Sequence, residues 1–193
     1  MASESGAAPR TSFVRERFSV FTECLLTGGW ITVAALPLVT FPAAFAAGAR
    51  HLRRHLAGEA GGVREFAADV REAFRTGWRV ALLWWAALAL LAFDWQVARS
   101  GLLPGGRALV VVSVLGLPAV AVWGLRTAAA WRPGTPWPRT ARDAGRRTLS
   151  DPAGSLLLVG GFVALALTAW QVPPLAAPAL GCLAAAAVAA DRR

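Results

Sequence analysis

The sequence predicts an all-α fold, a polytopic bundle of transmembrane helices. Three observations predict it. The 193-residue chain is 56% hydrophobic and 16% charged, against about 25% charged in ordinary soluble domains. Its apolar residues fall in five long uncharged runs. Its arginines stand in blocks between those runs, as charge is arranged around a bilayer.

A segment crossing hydrocarbon must satisfy its backbone internally, so it is a helix of about 20 residues. The five runs are residues 30–49, 80–93 continued by 95–98, 108–125, 153–172 and 175–190. Pro173-Pro174 divides the last two. The second and fifth are short, and a snorkelling Arg79 can lengthen the second. Helices buried in a soluble domain are the bland alternative. Eleven acids and twenty arginines, nearly all between the runs, are too few to wet such a surface.

Residues 1–11 are expected to be disordered, 12–190 to form a single transmembrane domain, and 191–193 to be a tail. Residues 12–29 leave two readings open. Phe13, Val14, Phe18, Phe21, Leu25 and Leu26 recur at helical spacing, interrupted by Arg15, Glu16, Arg17 and Glu23. The segment is either an interfacial amphipathic helix or a sixth span broken from the next by Gly28-Gly29.

Arginine placement gives the orientation. Residues 50–79 carry seven, residues 126–151 six and the C-terminus two, against Arg99 and Arg107 on the other side. Basic residues stay inside, so both long loops and the C-terminus are expected in the cytoplasm. Trp30, Trp95 and Trp170 then fall at outer ends, Trp78 and Trp131 at inner ends.

Two segments, 31–97 and 107–172, match at an offset near 75 residues. Pro42-Ala43 and Gly48-x-Arg50 correspond to Pro118-Ala119 and Gly124-x-Arg126. Trp95-Gln96-Val97 returns as Trp170-Gln171-Val172. The order is preserved, which suggests a tandem duplication of a kinked descending span, a cytoplasmic segment and a rising span. Parallel repeats of this kind occur in transporters.

On the cytoplasmic side, Val63, Phe66, Val70, Phe74 and Trp78 form an apolar helical stripe, with Arg64, Arg71 and Arg75 elsewhere around it. Such a helix is expected on the inner leaflet among anionic headgroups, or else docked to a cytoplasmic partner. Residues 131–138 read as a turn-rich linker, followed by a short basic helix over 140–148.

No catalytic or metal constellation appears. Cys24 and Cys182 are isolated in apolar runs and read as packing residues. Asp94 is expected to pair with Arg99 at the interface. Glu23 lacks an evident partner, and His51 and His55 read as solvated or headgroup-facing. No phosphate-binding loop is present and no Ser/His/Asp set is suggested, so neither enzymatic activity nor a cofactor is expected. A basic balance alone is a weak footprint for nucleic acid, and none is expected as a partner.

The stretch Leu36-Pro37-Leu38-Val39-Thr40-Phe41-Pro42-Ala43-Ala44, leading to Ala47, Arg50 and Leu52 and then Gly58-Glu59, resembles the signature of the YesL family of bacterial membrane proteins. Glu65-Phe66 and Ala73-Phe74-Arg75 resemble the Phe-rich segment that follows it. The likeness covers residues 22–91. It implies a multi-pass membrane protein of unknown molecular function, with a role accessory to carbohydrate uptake or sensing and a sugar transporter as partner. Independently of family, Pro37 and Pro42 each remove a backbone donor. Thr40 is then expected to cap the helix that Pro42 begins, and the kink to pack inside the bundle. Three roles follow from these readings: a non-enzymatic accessory protein, a small permease enclosed by the repeats, or a lipid-organising scaffold.

Overall fold

The computed structural model describes residues 9–59, 61–100 and 106–191. Among them every regular element is helical. In chain order these are α1 (Pro9–Ala34), α2 (Phe41–Leu56), α3 (Val63–Arg99), α4 (Gly106–Ala130), α5 (Trp137–Ser150), α6 (Pro152–Gln171) and α7 (Ala176–Asp191), with short 3-10 turns at Leu38–Thr40 and Pro173–Leu175. The expected disorder of residues 1–11 lies partly outside the described residues. Where the chain is described, helix already runs from Pro9.

Three helical stretches are long and apolar enough to cross a membrane: Val63–Arg99, Ala108–Ala130 and Pro152–Gln171. Protein covers little of their apolar surface. Leu83, Phe93, Leu115, Leu156 and Trp170 are each more than half exposed, a large uncovered apolar surface that a bilayer would cover. α7 is apolar but only 16 residues long.

The remaining expected span, 30–49, is not one helix. α1 ends at Ala34 and α2 starts at Phe41. Pro37 has no amide hydrogen to continue the ladder. The Thr40 hydroxyl instead donates to the carbonyls of Ala34 and Pro37, at 2.5 and 2.7 Å. Thr40 therefore closes the end of α1, and no side-chain bond from it caps α2. The turn does not pack inside either: Leu36 and Leu38 are exposed. The carbonyls of Ala34 and Pro37 accept from Thr40 and that of Leu38 from Trp85 Nε1 at 3.0 Å, so these groups find partners without burial of the turn.

α1 and α2 form an antiparallel pair, with Gly48 against Ile31 and Thr27. α2 is the centre of the bundle. Ala43 through Ala49 are all buried, and small side chains let α1, α3, α4 and α7 close around it. Gly28-Gly29 does not break α1. Gly28 is where α1 meets α7, backbone against backbone: a Cβ there would sit 2.1 Å from the Ala177 carbonyl oxygen, and one at Gly181 would sit 1.9 Å from that of Cys24. Small residues at such crossings let helix backbones approach closely in membranes.

α3 runs for 37 residues without interruption. The expected amphipathic helix over 63–78 is thus its first half, and the expected loop over 50–79 is mostly helix. Phe66 is buried on this helix, Val70 and Phe74 are half-buried, and Arg71, Arg75 and Trp78 are exposed. The side of α3 carrying Gly77 takes the Trp137 ring of α5, whose Nε1 donates to Thr76 Oγ1 at 3.1 Å. Lower down, Trp84 lies against Gly124 of α4, its Nε1 donating to the Val120 carbonyl at 2.8 Å.

The tryptophans expected at span ends sit in different surroundings. Trp170 is exposed at the end of α6, but Trp30 lies beside His51 and Phe66, and Trp131 is buried against Trp137. Asp94 makes no ion pair with Arg99. That guanidinium sits over the neighbouring Trp95 ring, at 5.9 Å.

Candidate functional site

The segment Arg50-His51-Leu52-Arg53-Arg54-His55 at the end of α2 organises the polar residues of the bundle. Positions four apart share a helix face, so Arg50 and Arg54 turn one way and His51 and His55 another. Arg50 and Arg54 both reach Asp69 of α3, Arg54 Nη1 lying 3.1 Å from Oδ2. His51 and His55 both reach Glu23 of α1, at 2.5 and 3.9 Å. Arg53 donates to the carbonyls of Ala129 and Trp131 where α4 ends, the second at 3.0 Å. A cation there also meets the negative end of the α4 dipole. One turn and a half of helix thus ties α2 to three neighbours.

Asp69 is nearly enclosed, its side chain 6% exposed. Burial pushes its carboxyl up from the usual range, while Arg50 and Arg54 pull it back down. His51 is buried, correcting its solvated reading. The Trp30 ring meets its imidazole edge-on at 5.0 Å. The partner of Glu23 is accordingly the histidine pair. An apolar helix face carrying polar groups must pair them when buried, and the two i,i+4 doublets were the signal in the sequence.

A second cluster joins α4 to α6. Arg126, at 7% side-chain exposure, donates to Asp151 Oδ2 at 2.9 Å. Asp151 also caps α6 by accepting from the Gly154 amide at 2.9 Å. Arg147 of α5 pairs with Asp191 at the end of α7. Arg50 and Arg126, which match in the two halves of the sequence, each pair with an aspartate, but Asp69 and Asp151 are 82 residues apart and do not share the 74–76-residue offset that matches Asp69 to Asp143. Their glycines differ: Gly48 faces α1 and Gly124 faces α3. The prolines differ also, since Pro42 is in the first turn of α2 and Pro118 is inside α4.

An apolar groove of about 710 Å³ opens between α3, α4 and α6, lined among others by Trp85, Trp95, Leu117, Pro118 and Phe162. It brings Trp95 and Pro118 together, whereas Gln96, Trp170 and Gln171 are exposed outside it. Among the described residues, no three His, Cys, Asp or Glu side chains are placed to hold a metal ion. At this end of the bundle, eight arginines form no ion pair among the described residues: Arg64, Arg71, Arg75 and Arg79 on α3, Arg139, Arg142 and Arg146 on α5, and Arg132 between α4 and α5. The chemistry this end of the bundle offers is therefore charge recognition by guanidinium groups.

No family model, curated protein or solved structure matches the chain.

Proposed function

We propose that this chain is a multi-pass, non-enzymatic membrane accessory protein whose arginine-rich end faces the cytoplasm. α1, α2, α3, α4, α6 and α7 enter the bilayer in this reading, and α5 lies along its inner surface. The antiparallel α1–α2 pair supports an N-terminus on the inner side, with the other polar segments. The two related units are a tandem duplication, with the Asp151-Pro152 break separating in the second unit what α3 joins in the first.

The observation that carries the reading is the division of the polar residues. Glu23, His51, Arg50, Arg54, Asp69, Arg126 and Asp151 are engaged in holding helices together, while the unpaired arginines point outward. On α5, Trp137, Thr140 and Ala144 are buried and Arg139, Arg142 and Arg146 are exposed. That face suits anionic headgroups, at about 1 kcal/mol per arginine near the surface. A permease of two parallel repeats would want polar groups facing its path, and the apolar lining of the α3–α4–α6 groove supports the accessory reading instead.

The resemblance to the YesL family adds carbohydrate uptake or sensing as the setting, with a sugar transporter as partner. The test is purification from native membranes in mild detergent. A stoichiometric second membrane complex is expected, and repeated preparations returning the chain alone would overturn the reading. Ser5→Cys and Ser100→Cys, in a chain with both native cysteines replaced, test the topology. Only the second is expected to react with an impermeant thiol reagent from outside.

A further inference from the structure

We propose that the exposed face of the first half of α3 docks an acidic segment of a cytoplasmic protein. The proposal rests on the orientation given above and names the surface through which the accessory role is exerted.

Continuity of α3 is the first argument. A 37-residue helix is about 55 Å long, against roughly 30 Å of hydrocarbon. Residues 63–78 cannot lie along the leaflet while the same unbroken helix crosses it. In the orientation proposed above, the membrane boundary on α3 falls near Gly77, where Trp137 is seated, with Trp78 and Arg79 following. Along the axis, Arg71 is about 12 Å and Arg64 about 22 Å from Arg79. Beyond a headgroup layer of about 6 Å, Arg64 still stands about 16 Å off, twice the Debye length of about 8 Å at physiological salt, so headgroup charge scarcely reaches the far end of this face.

The face itself is the second argument. At 3.6 residues per turn, Arg64, Arg71 and Arg75 fall within about 20° of one line. Ala67 lies on one flank of them and Ala68, Glu72 and Thr76 on the other, around one shallow depression. Small residues there leave room for a partner backbone between guanidinium groups. None of the three arginines has an ion-pair partner among the described residues, whereas the opposite side of α3 has Asp69 held by Arg50 and Arg54.

Charge complementarity then identifies the occupant. The chain has eleven acidic residues and no two are adjacent. No stretch of the 193 residues supplies an acidic run, and the occupant assigned to this face is a segment of a different protein.

The test uses the full chain in zwitterionic nanodiscs and a fluorescent helical peptide of Glu and Ala as probe. Arg71→Glu with Arg75→Glu is expected to weaken binding by about tenfold or more. Arg139→Glu with Arg142→Glu on α5, an equal change in net charge, is expected to weaken it by less than about twofold. Equal weakening by the two pairs, or no binding to the unaltered chain, would overturn the proposal. A spin label at Ala68→Cys is expected to stay water-accessible in zwitterionic and in anionic nanodiscs. Immersion in the anionic ones would assign the face to lipid instead. Co-purification that survives the Arg71 and Arg75 reversals sinks this surface alone, whereas its absence from the unaltered chain sinks the accessory reading.

Discussion

Adjacent glycines in α1 offer the same chemical change in two different surroundings. A Cβ at Gly28 would meet the Ala177 carbonyl oxygen at 2.1 Å and the Gly181 amide nitrogen at 2.9 Å, while one at Gly29 would meet nothing within 4 Å. Alanine at either site gains about 1 kcal/mol of helix propensity. At position 28 the contacted atoms are backbone, so no side chain can swing away. The helices must part by about 1.3 Å to restore ordinary contact, an overpacking cost of about 3 kcal/mol, at the upper end of the usual range. The net expectation is a loss of about 2 kcal/mol for Gly28→Ala and a gain of up to about 1 kcal/mol for Gly29→Ala. For a chain of this size, that separates the two melting temperatures by about 6–12 °C. The assay is thermal unfolding in detergent, followed by circular dichroism. Gly181→Ala should behave like Gly28→Ala, since its Cβ would meet the Cys24 carbonyl oxygen at 1.9 Å. Indistinguishable melting of the Gly28 and Gly29 variants would refute the claim that α1 and α7 touch at this point.

Other expectations address the polar clusters and α5. Asp151→Ala removes the α6 cap, worth about 1 kcal/mol, and strips the carboxylate from buried Arg126, costing about 3–5 kcal/mol. Arg126→Met should cost less, since it leaves no buried charge, and denaturant titration that ranks the two the other way would contradict this account. Asp69 is raised in the folded protein, so the contribution of its protonated form to stability is present below its unfolded pKa and lost as pH rises through the folded one. Relative to Asp69→Asn, the unaltered chain should therefore lose melting temperature on titration upward from about pH 4; the opposite slope would mean that the arginine pair outweighs burial. Gly77→Leu would drive a side chain into the Trp137 ring, 2.4 Å from the Cβ position. It should release α5, read as faster tryptic cleavage at Arg139 and Arg142 with unchanged helix content.

Several of these features were legible in the residues themselves. Uncharged length alone marked α3 beyond Arg79, α4, α6 and α7, because hydrophobicity over that many residues is a property of composition and needs no partner. The basic helix after the Trp-Pro linker was also visible, though it starts at Trp137 and runs to Ser150. The span over 30–49 failed because length says nothing of direction. Two helices meeting at a turn have the same hydropathy as one helix passing through, and Pro37 was read as a kink when it ends α1. Residues 63–78 are helical from Val63 as expected, but the helix does not end at Trp78. Their polarity suggested a separate surface helix, but Thr76-Gly77-Trp78-Arg79 offers no breaker strong enough to interrupt a rigid continuation.

What the amino-acid order determined by itself was which segments prefer oil and where the guanidinium groups stop, since transfer free energy is local and additive along the chain. Only the tertiary structure decided who pairs with whom. The doublets Arg50/Arg54 and His51/His55 are visible in the sequence, but their partners lie in helices 15 to 32 residues away. That choice depends on which faces of α1 and α3 close on α2. The closure is set by van der Waals fit between small residues such as Gly48 and its neighbours, a property of surfaces in contact that no single stretch of chain carries.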